Sequence, residues 1–290
     1  MESTPELEIR GLSSVRGGYE TLRDVSLELA RGETLFCMGN AGSGKSTLLK
    51  TAAGICVPAG GEVLFRGTQL SHMDKREEEA FRKASGFAFQ DAALWANQSI
   101  YENLALPIRL HESGWSESEV ERAARKATEL VGWEGNMRER PAELSLGERK
   151  LVGIARALVL DPELLFMDEP TWGLDEASAA RMSEILRGLK TRGRSIIVSS
   201  AASDLVSNCA DTVAVLINGV LVAHGTYSAA VAWDEGRLRA VTGRLKPRET
   251  VPEWATGLAG EWAEAIAADA TPPKDLEGGE EGQRRERGKK

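Results

Sequence analysis

The run GNAGSGKST, residues 39–47, gathers small flexible residues, hydroxyls and one lysine. It fits G-x-x-x-x-G-K-[ST] and stands between an apolar run, TLFCM, and a segment that opens a helix, KSTLLKTAAG. Residues in that order suit a phosphate chain. The backbone N–H groups of Gly39, Asn40, Ala41, Gly42, Ser43 and Gly44 can curl around phosphate oxygens at the helix N-terminus, where the helix dipole favours an anion. Lys45 then reaches the β- and γ-phosphates, Ser46 ligates Mg²⁺, and Thr47 completes the nucleotide-binding set at the start of the helix. A second stretch, LLFMDEP at residues 164–170, ends an apolar run in an acidic pair. Carboxylates at the tip of a buried strand are costly unless they meet a cation or a reacting group. Asp168 suits Mg²⁺ held through water, and Glu169 suits polarising an attacking water.

These residues need strands to hold them, and the chain supplies them. TLFCMG (34–39), GFAFQ (86–90), LLFMDEP and SIIVSS (195–200) are near-continuous apolar runs, the pattern of strands buried on both faces of a largely parallel sheet. VSLELARGE (25–33) and GEVLFRGTQL (61–70) alternate, as half-exposed antiparallel strands do. Asn218-Gly219 between two strand-like runs in TVAVLINGVLVAHG (212–225) predicts a hairpin. Ser116 and Glu119 have capping-box spacing, and Val120, Ala124, Ala127 and Val131 follow at helical intervals. The fold class is therefore α/β, with strands and amphipathic segments alternating from about residue 7 to 241 and a helical insertion over about 92–160. Residues 244–290 form an extension: a short amphipathic helix over 251–268 bearing Trp254 and Trp262, then a disordered charged tail.

Composition narrows the classes. The 290 residues are 42% hydrophobic and 28% charged with a net charge of −8, which argues against a nucleic-acid footprint. Cys37, Cys56 and Cys209 lie in or beside apolar runs and read as buried reduced thiols rather than disulfides or metal ligands, which suits a reducing cytoplasm. The three histidines do not cluster, so a zinc site is not expected. No run is long enough to cross a bilayer, and the acidic, polar start is not a secretory signal. Work at a membrane would need a partner.

With these motifs and PAELSLGERKLVGIARALVLDPELLFMDEP (141–170), the chain resembles the ATP-binding cassette family over about residues 7–240. The resemblance implies a P-loop nucleotide-binding domain over 1–243, with a mostly parallel RecA-like core sheet, an antiparallel β subdomain and a helical signature subdomain. It implies ATP and Mg²⁺ as ligands, hydrolysis to ADP and phosphate, and a position at the cytoplasmic face of the inner membrane. Ser145, Leu146, Gly147 and Glu148 match the signature, whose Ser145 and Gly147 would contact the γ-phosphate held by a second cassette. Leu146 stands where a glycine is usual. Gln90 matches the glutamine loop, which senses the γ-phosphate and Mg²⁺, and Gly173, Leu174 and Asp175 match the D-loop. The implied partners are a second cassette, like or unlike, and a membrane-spanning permease docked near residues 90–107. Within that segment Trp95, Ile100, Leu104 and Leu106 are apolar, most of them expected inside the domain. The extension offers room for a small cytoplasmic partner or a swap across the dimer. Residues 89–120 and 222–243 resemble the ATPases of bacterial Mla/MCE phospholipid transport systems, with other import and lipoprotein-release ATPases as alternatives.

Two residues depart from the family pattern. Arg16 occupies the position of the aromatic side chain that stacks on adenine; its guanidinium plane can stack on a base, and Tyr19 is the alternative. The histidine expected after the strand SIIVS is replaced by Ser200, followed by Ala201. His111 and His224 belong to other segments, so no shift in register restores it. Loss of one positioned transition-state contact costs roughly 10²–10³ in rate. ATP binding should survive and hydrolysis should slow, leaving either a slow motor or a degenerate cassette that clamps ATP beside a competent partner.

Overall fold

The computed structural model describes residues 4–233 and 236–246. The predicted helix over 251–268, both of its tryptophans and the charged tail lie outside the described residues. The strands are β1 (Leu7–Arg16), β2 (Tyr19–Leu29), β3 (Thr34–Met38), β4 (Gly60–Phe65), β5 (Thr68–Gln69), β6 (Ser85–Ala88), β7 (Leu164–Asp168), β8 (Ser195–Ser199), β9 (Thr212–Ile217) and β10 (Val220–Thr226). The helices are α1 (Lys45–Ala52), α2 (Lys75–Ala84), α3 (Ile100–His111), α4 (Glu117–Val131), α5 (Leu146–Leu158), α6 (Glu176–Thr191), α7 (Ser203–Cys209), α8 (Tyr227–Val231) and α9 (Gly236–Thr242).

Among the described residues the strands make two sheets. One is antiparallel in the order β2-β1-β4-β5, and the other runs β10-β9-β3-β8-β7-β6. In the second sheet every pair from β9 to β6 is parallel, and only β10 returns antiparallel, through the Asn218-Gly219 turn. The continuous apolar runs follow from burial on both faces. Leu35 and Cys37 of β3 join one core layer with Phe166, Ile197 and Leu216, while Phe36 and Met38 join the other with Met167, Val198 and Val215. The first layer is shared with α1 and the antiparallel sheet; the second is shared with α3, α4, α5 and α6. Strand β6 differs from the prediction: as the sheet edge it is only half-buried until Ala88, because it pairs with β7 alone.

The capping signal at Ser116 is realised, with the Ser116 N–H donating to Glu119 Oε2 over 2.7 Å and Gly132 ending α4 in the left-handed region. Ile100 and Leu104 point into the core, whereas Trp95 and Leu106 are exposed. No helix among the described residues is long and apolar enough to cross a membrane.

The thiols divide. Cys37 and Cys209 are buried, but Cys56 is only half-buried, because it follows the end of α1 in a surface turn. Burial pushes the Cys37 thiol up to about 12. At pH 8 a thiolate-specific reagent should therefore label the native protein fast at Cys56 alone. Loss of the fast phase in Cys56→Ser checks this, and a fast phase surviving that change would contradict the burial of Cys37 on β3 or Cys209 on α7.

Candidate functional site

Parallel pairing brings the carboxyl ends of β3, β6, β7 and β8 to one edge of the sheet, and the loops that leave them carry the site. After β3 the chain turns at Gly39 with φ 153°, where a Cβ would overlap the Leu216 carbonyl oxygen. At Gly44, φ 102°, a Cβ would come within 2.7 Å of the Thr21 carbonyl oxygen. Only glycine lets this loop close so tightly. Lys45 is buried, and its ammonium donates to the carbonyls of Gly39 at 2.7 Å and Asn40 at 3.1 Å. No side chain caps the N-terminus of α1, and the buried Ser43 Oγ has no hydrogen-bond partner. A phosphate chain fits this combination of uncapped amides, an orphaned hydroxyl and a lysine folded over the loop.

Asp168, at the end of β7, is 1% exposed. Its Oδ1 accepts from Ser46 Oγ at 2.9 Å and Ser199 Oγ at 2.6 Å, while the buried Oδ2 has no partner. An orphaned carboxylate oxygen beside a serine hydroxyl fits a hard divalent cation such as Mg²⁺. Glu169 has φ 45°, a left-handed conformation that is strained for a side chain of this length. Its N–H is held by Ser199, through the carbonyl at 3.0 Å and Oγ at 3.1 Å. Burial raises the Glu169 carboxyl above the usual range, opposed by a 3.3 Å hydrogen bond from the Ala201 N–H and by Lys45, whose ammonium lies 4.0 Å away.

Ser200 is 0% exposed, and its Oγ accepts from the Ala202 N–H at 3.0 Å. Its hydroxyl serves the local turn, and the Glu169 contact comes from the next backbone amide. His224 sits on β10, three strands from β8 in the sheet, and His111 ends α3.

The other predicted residues fall into three places. Arg16 and Tyr19 are cross-strand partners at an exposed hairpin tip, Tyr19 being 79% exposed, and the same β2 strand sets the Thr21 carbonyl against Gly44. Ser145 caps α5, its Oγ accepting from Glu148 N–H at 3.2 Å while Glu148 Oε2 accepts from the Ser145 N–H at 2.9 Å. These Ser145 bonds hold the Glu148 carboxyl below the usual range. Leu146 and Gly147 lie against Gly173, and Leu174 packs on the core edge. Asp175 caps α6 through a 2.7 Å bond from the Ser178 N–H. Gln90 is exposed in the turn after β6.

Sequence reasoning missed Ser199 and Lys150. Ser199 hides as the last residue of an apolar strand. Lys150, 3% exposed, donates to the carbonyls of Phe89, Gln90 and Asp168, and burial pushes it down to about 8. The available signal was a lysine directly before the buried run LVGIA.

A profile described as ABC transporter matches residues 22–172, which include the phosphate loop, Gln90, the signature and the acidic pair. The chain belongs to the ABC transporter family. It is an ABC-type ATPase that binds ATP. The "Probable ribonucleotide transport ATP-binding protein mkl" of Mycobacterium leprae is 32% identical over 234 residues, covering 80% of this chain and 67% of the relative. The alignment with its Mycobacterium tuberculosis counterparts spans 65% of their length, just under two thirds. An uncharacterized ABC transporter ATP-binding protein of Methanocaldococcus jannaschii is 38% identical over 185 residues, 63% of this chain and 82% of the relative. Among solved structures, a dimeric ATP-binding cassette in a post-hydrolysis state with ADP and Pi superposes with TM-score 0.71 at 26% identity, covering 76% of this chain and 98% of that one. The cbiO1 protein of Clostridium perfringens, part of the ABC transporter complex cbiONQ, gives TM-score 0.66 at 27% identity, covering 80% of this chain and 92% of that one.

In this cassette Ser199 supports both acidic residues. Ser199→Ala removes a donor to Asp168 and an acceptor for the Glu169 N–H, so it should destabilise the fold by about 1–3 kcal/mol. Urea unfolding should show a lower midpoint at unchanged slope; an unchanged midpoint would remove Ser199 from the support of the site.

Proposed function

We propose that the chain is the Mg²⁺-dependent motor of a transporter that moves a phospholipid or another lipid across or between bacterial membranes. It pairs with a second cassette, and a membrane-spanning permease holds the pair at the cytoplasmic face of the inner membrane. The observation that carries the motor reading is the linked set Ser46–Asp168–Ser199–Glu169–Ala201, which stays closed without a histidine.

In this reading the loop amides of residues 39–47 and Lys45 bind the phosphates. Arg16 or Tyr19 stacks on the adenine. Ser46 and Gln90, with Asp168 through water, would hold Mg²⁺, which would neutralise charge at the phosphate oxygens. Glu169 polarises the attacking water, and its raised carboxyl brings the base closer to neutral pH. The Ala201 N–H steers that carboxylate, a task usually shared with the histidine. Ser145 and Gly147 complete the site of the opposite cassette, and Gly173–Asp175 cross the interface. A second reading, an ATP clamp with no turnover, draws support from Ser200, whose hydroxyl is already engaged in its own turn.

The lipid reading rests on the resemblance of residues 89–120 and 222–243, and the name of the mycobacterial relative makes ribonucleotides the competing cargo. Reconstitution with the permease separates them: ATP-driven transfer of labelled phospholipid supports the lipid reading, and ribonucleotide uptake replaces it. With Mg²⁺, the native protein should hydrolyse ATP and Glu169→Gln should lose roughly 10²–10³ in rate. A native protein that binds ATP without turnover would leave the clamp as the function. A faster Ser200→His would measure what the histidine adds.

A further inference from the structure

One face of α5 meets the loop that follows β6. Lys150, Gly153 and Arg156 stand three residues apart along the helix. The Lys150 ammonium donates to the carbonyl oxygens of Phe89 at 3.1 Å, Gln90 at 2.9 Å and Asp168 at 3.2 Å. Arg156 donates to Ala93 and Ala92, both at 2.8 Å, and its guanidinium lies 5.2 Å from the Trp95 ring centroid. Between them Gly153 admits the loop so closely that a Cβ would sit 2.8 Å from Ala92 Cβ. The loop is strained there, with Ala92 at φ 62° and Ala93 at φ 46°. Left-handed alanines persist only where the surroundings hold them.

Lys150 differs from an ordinary core lysine. A buried ammonium needs partners, and its three are backbone carbonyls from two separate segments, one beside Gln90 and one at the end of β7. Asp168, Glu169 and Asp91 act on it only at longer range. Moving Gln90 away from Asp168 would strip acceptors from a buried cation, which resists the motion.

We infer that Lys150 is a positioning residue that fixes the Gln90 loop against the Asp168 carbonyl, so that Gln90 and Asp168 keep the spacing their shared ligand requires. The inference rests on the reading above, in which both residues serve Mg²⁺. Because α5 also begins at the Ser145 cap, the same rigid helix joins the signature residues to this tether.

The test uses the full chain, native and as Lys150→Met, with Lys150→Gln keeping two of the donors. In nucleotide-free protein, amide hydrogen exchange over residues 89–95 should quicken in Lys150→Met by about 10- to 100-fold, the loss of a charge-assisted hydrogen bond. ATP affinity in EDTA, set by the phosphate loop, should stay within about threefold, while the gain in affinity on adding Mg²⁺ should fall roughly tenfold, near the lower limit for such a bond. Lys150→Gln should recover part of both effects. Unchanged exchange overturns the tether. Equal losses with and without Mg²⁺ reduce Lys150 to a packing role and also overturn it. Should Lys150→Met fail to fold, Lys150→Gln against native is judged by the same two readouts. A native protein lacking both Mg²⁺ response and turnover would sink the motor reading instead, and the exchange result would then decide the tether alone.

Discussion

A carboxyl group held almost wholly out of water must find hydrogen-bond partners or a cation, and Asp168 sets that requirement for the whole site. One of its oxygens is shared by hydroxyls from α1 and β8, and the other is left open. Meeting those contacts requires β7 and β8 to pair in register, Asp168 opposite Ser199, and α1 to start close beside the end of β7. The phosphate loop cannot stand elsewhere without breaking the Ser46 contact. Apolar packing on both sheet faces makes this geometry rigid, since shifting any central strand by one residue would exchange its two buried faces.

The same strand explains how the site stays ordered without its usual histidine. Glu169 departs from β7 in a left-handed turn that a glutamate does not adopt by preference. Ser199 pays back that strain twice, through its carbonyl and its hydroxyl, and Ala201 adds a backbone donor to the carboxylate. Backbone amides cannot carry charge as an imidazole does. They do orient an acceptor, which is a smaller role and one that any residue at position 201 except proline can supply.

Two cations on α5 extend the order outward. Lys150 and Arg156 satisfy carbonyls in the loop after β6, and Gly153 lets that loop lie close against the helix. Capping boxes at Ser116 and Ser145 start α4 and α5, so the helices that frame this region begin at sequence-defined points. Their depth of packing is decided by the apolar face they share with the sheet.

Much was legible in the sequence because it was local. The glycine spacing of residues 39–44, the apolar run ending in Asp168 and Glu169, the Asn218-Gly219 turn and the Ser116 box each depend on neighbours along the chain, and each formed as read. The edge position of β6, the half-exposure of Cys56, the pairing of Ser199 with Asp168 and the three-carbonyl seat of Lys150 were not legible. The contacts of Ser199 and Lys150 join residues that are 18 to 61 positions apart. A serine at a strand end and a lysine beside an apolar run look ordinary until another segment arrives. The sequence by itself determined the phosphate chemistry and the strand–helix alternation, because turn geometry and hydrophobic period are written in adjacent residues. Only the tertiary structure decided which donors meet the buried carboxylates, because the cost of leaving them unpaired is met across strands, not along one.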